Sequence, residues 1–174
     1  MQELAPNVLV ETGFQRVTVG AILTDAGYIL IDTPPYPDEA QAWRETLAAC
    51  SDRPVVAIVN TDCHRDRILG NCWFDAQVII AHEETITYAG QYPAMLADAA
   101  ADLLGQPFFE RGAVAGTRLH LPSVGCTQRM HLRYGENVWV RFKPLLITLA
   151  VLVASPLRGG RGEAGNVMRA LRSA

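Results

Sequence analysis

Apolar positions along the chain fall in short runs, broken by glycine, proline and acidic punctuation. Residues 7–12 (NVLVET) and 17–23 (VTVGAIL) predict two strands joined by the turn Gly13-Phe14-Gln15. Thr24-Asp25-Ala26-Gly27 carries hairpin chemistry into a third strand over 28–31 (YILI). Thr33-Pro34-Pro35-Tyr36-Pro37 then stops regular structure. Asp38 is placed as an N-cap for a helix over 39–50, with Ala40, Trp43, Leu47 and Cys50 at helical spacing. Residues 54–59 (PVVAIV) suit a strand buried on both faces. A polar loop over 60–66 leads into a short helix toward Phe74, and 77–81 (QVIIA) predicts another strand. His82-Glu83-Glu84 opens a helix, and a further helix runs over 93–104 to Gly105. After a poorly patterned stretch at 108–123, residues 128–132 and 137–142 predict two strands turned at Tyr134-Gly135-Glu136, and 145–153 can supply one more. No repeat of 20–50 residues is present, which excludes solenoids and propellers. A hairpin followed by strand–helix alternation indicates a layered α/β protein, whose ligands gather at polar loops on the carboxyl ends of strands. Asp32 and the 60–66 loop both hold that position.

Composition changes this picture in two ways. With 174 residues and 49% hydrophobic positions, the chain has the material for one domain core and is not of the disordered class. The net charge of −3 gives no global basic field, so no nucleic-acid partner is expected. That charge is unevenly spread. Residues 143–174 carry five basic residues against Glu163 alone, a net +4, which leaves −7 on residues 1–142. The first segment is therefore read as the domain body and the second as a divergent apolar and basic tail. Cys50, Cys63, Cys72 and Cys126 form no CxxC pair or regular framework, so reduced thiols and a cytoplasmic setting are expected. The apolar run at 144–157 is shorter than the roughly 20 residues of a membrane span, and no signal peptide is evident.

The chemistry concentrates at residues 59–74, VNTDCHRDRILGNCWF. This segment resembles the metal-binding loop of the metallo-β-lactamase superfamily, whose signature is H-x-H-x-D-H after an apolar strand, followed by a glycine and often Asn-x-x-Phe. LIDTP at 30–34 is similar to that family's strand ending in a structural aspartate, and VIIAHEET at 78–85 to the strand and helix start after the metal loop. With the N-terminal hairpin, the resemblance covers about residues 7–142. It implies an αββα sandwich with metals at one edge, and zinc-dependent hydrolysis of a small ester, thioester, lactone or lactam by a metal-bound hydroxide.

The loop departs from the signature. Asp62 stands at the first histidine position, His64 and Asp66 are retained, and Arg67 replaces the last histidine. The resemblance makes His64, Asp66 and Asp62 the metal ligands, with Asp66 also the catalytic residue that positions water. Arg67 offers no lone pair, because a guanidinium stays protonated, and is read as a charge substitute for the second metal that neutralises Asp66. Other readings stay open: Asp62 as a turn or N-cap residue, and Asp66 as a cap. Cys63 and Cys72 are read as inert thiols, and His82, His120 and His131 as surface or hydrogen-bonded residues. No histidine follows His131 and no aspartate follows Asp102, so the family's later ligand motifs have no counterpart here. The break near residue 143 coincides with the change of charge and suggests a shift of reading frame near codon 145.

The expected fold is thus an incomplete metallo-β-lactamase-like sandwich. Its cofactor would be zinc or another divalent metal, at most one per chain. Two functions are carried forward: a metal-dependent hydrolase of small molecules with weak or lost activity, and a non-catalytic binding or oligomerising remnant. The open sheet edge left by missing strands favours a homo-oligomer.

Overall fold

A computed structural model describes residues 1–91, 119–128, 130–134, 138–145 and 148–154. Its larger sheet has seven strands in sequential order: β1 (Gln2–Ala5), β2 (Val8–Glu11), β3 (Val19–Leu23), β4 (Tyr28–Ile31), β5 (Val55–Val59), β6 (Val78–His82) and β7 (Val124–Cys126). The first four form an antiparallel meander. From β4 onward the strands run parallel, so β4, β5, β6 and β7 all end on one edge of the sheet. A smaller antiparallel sheet contains β8 (Met130–Tyr134), β9 (Val138–Leu145) and β10 (Thr148–Ala154), with β9 at its centre.

Both faces of the large sheet are covered, which explains why β4 and β5 are apolar without alternation. On one face α1 (Pro37–Cys50) lays Ala40, Trp43 and Leu47 against Leu9, Ala21, Leu30 and Ile58. On the other face Ile22, Ile29, Ile31, Ala57, Val59 and Ile80 meet Met130 and Leu132 of β8, so the two sheets pack as a sandwich. Tyr28 joins the layers by donating its hydroxyl to the Leu47 carbonyl at 2.9 Å while itself 1% exposed. Burial pushes the Tyr28 phenol above its ordinary pKa. Tyr28→Phe is expected to cost about 1 kcal/mol in denaturant unfolding, because the Leu47 carbonyl keeps its bond from the Ser51 amide. A cost above about 3 kcal/mol would show that the hydroxyl does more than pin the helix end.

Several local expectations are corrected. Asp38 is not the N-cap of α1; Tyr36 holds that position, with Pro37 opening the helix and Asp38 in its first turn. Proline suits the first helical position because its fixed φ matches the helix and its missing N–H is one of the unpaired donors there. Cys50 is exposed rather than on the core face, since the helix ends there. His82 does not open a helix or sit on the surface: it is the last residue of β6, 7% exposed, and its Nδ1 accepts from the Glu84 amide at 3.2 Å. The helix α3 (Glu83–Gln91) starts one residue later. The edge strands β1 and β7 carry too little apolar pattern to be expected; β1 is half exposed and β7 has three residues. The strand anticipated over 145–153 forms as β10 and pairs with β9, which itself runs through residue 143. The helix expected over 93–104, the turn at 135–136 and the tail beyond 154 lie outside the described residues.

Candidate functional site at the carboxyl edge of the parallel strands

The parallel strands deliver Asp32, directly after β4, and Asn60, directly after β5, side by side, because Ile31 and Val59 are register partners. From Asn60 the chain forms a loop to His64, then the single turn α2 (Arg65–Ile68) and a 3-10 turn (Leu69–Trp73). A ring of buried polar side chains fixes this loop.

Asp32 is 3% exposed and adopts φ of +54°, a left-handed conformation unfavourable for a residue with a Cβ. Its carboxylate accepts from the Thr61 amide at 2.9 Å and from the Thr61 hydroxyl at 2.5 Å. Desolvation nevertheless raises its pKa to about 7, against the lowering effect of the Thr61 bonds and Arg67.

Asn60 and Asn71, both at 0% exposure, form a reciprocal amide pair. Asn60 Nδ2 donates to Asn71 Oδ1 at 3.1 Å, and Asn71 Nδ2 donates to Asn60 Oδ1 at 2.8 Å. The remaining amide hydrogens go to the Arg67 carbonyl at 2.6 Å and the His120 carbonyl at 3.0 Å. Thr33 adds its hydroxyl to Asn71 Oδ1 at 3.0 Å. Four chain segments are thereby joined with every amide hydrogen of the pair satisfied. The close approach of the 3-10 turn to the β4–α1 loop requires glycine at position 70, where a Cβ would lie 2.3 Å from the Pro34 carbonyl oxygen.

The residues expected to form the metal site separate into two groups. Asp62 and His64 come together: Asp62 Oδ1 accepts from the His64 amide at 2.8 Å and stands 3.0 Å from His64 Nδ1. Asp62 thus closes a turn ahead of α2, and the His64 side chain is 71% exposed. Asp66, within α2, does not join them, and it is not the partner of Arg67. Arg67 Nε instead lies 3.8 Å from Asp32 Oδ2 and 4.0 Å from Asp62 Oδ2, and its Nη1 donates to the Arg16 carbonyl at 3.4 Å. The physical reason is geometric. Adjacent residues on a helical turn point in different directions, whereas the carboxyl end of β4 lies in front of Arg67. Burial pushes the thiols of Cys63 and Cys72 up, Cys72 to about 11, which disfavours the nucleophilic thiolate.

Among the described residues, no group of three or more His, Cys, Asp or Glu side chains is placed to hold a metal ion. The donors present do not fit a metal centre here: Asp62 is engaged by His64, and a fixed guanidinium stands between Asp62 and Asp32. Asp32, Thr61, Asn60 and Asn71 were not expected as a connected set. The signal available for them was only their place at strand ends and in the Asn-x-x-Phe stretch.

Neither a protein-family model nor a curated protein matches the chain. Solved structures do. The stereoselective inverting sec-alkylsulfatase Pisa1 from Pseudomonas sp. superposes with a TM-score of 0.61 at 16% identity, over 88% of this chain and 29% of that one. A metallo-β-lactamase with the HARLDQ motif from Cronobacter sakazakii gives 0.55 at 19% identity, over 87% and 58%. A metallo-β-lactamase family protein from Thermus thermophilus gives 0.57 at 18% identity, over 86% and 56%. This chain therefore has the metallo-β-lactamase α/β sandwich fold and spans between 29% and 58% of the length of these three structures. No helix among the described residues is long and apolar enough to cross a membrane.

Proposed function

We propose that this chain is a metallo-β-lactamase-fold protein whose loop after β5 has exchanged metal-dependent hydrolysis for a non-catalytic, scaffold or binding role. The observation that carries this reading is the position of Arg67, whose Nε faces Asp32 at 3.8 Å and Asp62 at 4.0 Å. A permanent cation between two carboxylates supplies the charge that a metal would otherwise supply, and it repels a divalent ion from the same place. Arg67 is matched by acids on two sides, which also disfavours capture of a free anion.

A second reading is a weak hydrolase of small esters or lactams holding one zinc or other divalent ion through Asp62, His64 and Asp66, with Asp66 positioning water. The exposure of His64 favours it, since imidazole presented to solvent is open to a metal. One experiment separates the two. Purified protein is titrated with zinc, manganese and iron and assayed against ester, thioester, lactone and lactam substrates. The scaffold reading expects less than one equivalent of any metal retained through gel filtration and turnover equal to buffer. Metal retained stoichiometrically, with turnover that a chelator removes and Asp66→Asn abolishes, would overturn it in favour of the hydrolase.

A further inference from the structure

We infer that the Asp32–Arg67–Asp62 triad encloses a bound water molecule, which accepts a hydrogen bond from Arg67 Nε–H and donates one to Oδ2 of each aspartate. The inference rests on the reading that no metal occupies this loop. Arg67 Nε is buried and has no hydrogen-bond acceptor among the described residues. The carboxylate oxygens in front of it stand at 3.8 and 4.0 Å, beyond the roughly 2.7–3.2 Å of an N–H···O bond. A polar contact longer than about 3.5 Å invites a bridging water, and a charged donor left unpaired in a buried place costs more than immobilising one.

The three groups also select the occupant. A metal ion would meet the guanidinium, and an anion would meet two carboxylates. A neutral molecule with two donors and an acceptor satisfies all three partners, which is the number an internal water commonly takes. Asp32 cannot close the gap by moving, because Thr61 holds both of its oxygens. Asp62 is held through Oδ1 alone, which accepts from the His64 amide and stands 3.0 Å from His64 Nδ1, so that Oδ2 is left facing Arg67. Arg67 is anchored at both ends, its carbonyl by Asn60 and its Nη1 by the Arg16 carbonyl. The spacing is thus fixed by the surrounding bonds.

The test is NMR of the full chain with nitrogen-15-labelled arginine. The expected result is an Arg67 Nε–H resonance, assigned by its loss in Arg67→Lys, with a cross-peak to a long-lived water. Asp62→Asn keeps an acceptor oxygen and retains that cross-peak, whereas Asp62→Leu loses it. A crystal structure is then expected to place one water within hydrogen-bond distance of Arg67 Nε and both Oδ2 atoms. Direct contact between the guanidinium and either carboxylate, with no water peak, would overturn the inference and leave the metal-free reading standing. A metal ion in that place would overturn both. Should Asp62→Leu not fold, the crystal structure of the unaltered chain decides alone.

Discussion

Arg67→Met is expected to destabilise the folded chain by about 3 kcal/mol at pH 8, with a smaller loss at pH 5. Removing one member of a buried ion pair typically costs about 3–5 kcal/mol, because the partner charge is left without compensation. The low end applies here, since the Arg67 side chain is 24% exposed and Asp62 keeps its contact with His64. The pH dependence follows from Asp32. Its folded pKa, raised to about 7 by burial, lies above its ordinary value of 3.8. Between those two values the folded state binds more protons than the unfolded state, so stability declines as pH rises through this window and is flat above it. The shift corresponds to a decline on the order of 4 kcal/mol, distributed across the window. Without Arg67, whose charge lowers the Asp32 pKa, the decline continues past pH 7. Urea unfolding of both proteins at pH 5 and pH 8 measures the effect. Equal losses at the two pH values would show that Arg67 acts through packing of its aliphatic stem rather than through Asp32.

Asn71→Ala is expected to cost about 4 kcal/mol, the largest loss among single substitutions in the loop. It removes the reciprocal pair with Asn60, the bond to the His120 carbonyl and the acceptor of the Thr33 hydroxyl. Each polar group orphaned in a dry place costs about 1–3 kcal/mol, and admission of a water into the vacated space offsets part of the sum. Thr33→Ala, which removes a single bond from the same network, is expected to cost only about 1 kcal/mol. The comparison is made by denaturant unfolding, with amide hydrogen exchange of residues 60–68 as a local measure. A loss below about 1 kcal/mol for Asn71→Ala, or unchanged exchange in that loop, would show that the network is not what holds Arg67 in place.

The consequence of both results would be the same. Both would support the metal-free reading, in which an amide pair and a guanidinium hold the acidic side chains at this sheet edge in place of ions.

Much of the scaffold is legible along the chain. The runs at 28–31 and 55–59 are continuous apolar segments because both faces of β4 and β5 are covered. Ala40, Trp43 and Leu47 declare the buried face of α1 through their spacing alone. The positions of Asp32 and the 60–66 loop follow from the same pattern, since polar residues after buried strands must emerge at a sheet edge. These features depend on interactions within a few residues of one another, and periodicity records them. The strands β1 and β7 are not recorded, because their pairing comes from a neighbouring strand and asks little of their own side chains.

By itself, then, the sequence determined a layered α/β protein with its polar residues gathered after two buried strands, its family resemblance implied the sandwich, and it identified Asp62, His64, Asp66 and Arg67 as the residues of interest. Only the tertiary structure decided which of them meet. Arg67 faces Asp32, distant along the chain, rather than the adjacent Asp66, because parallel register sets the end of β4 against the end of β5. His82 is buried for a similar reason, as the last residue of a strand with β7 at its side. Sequence spacing fixes direction along one element. The pairing of charges across elements is set by register and packing, which no local pattern carries.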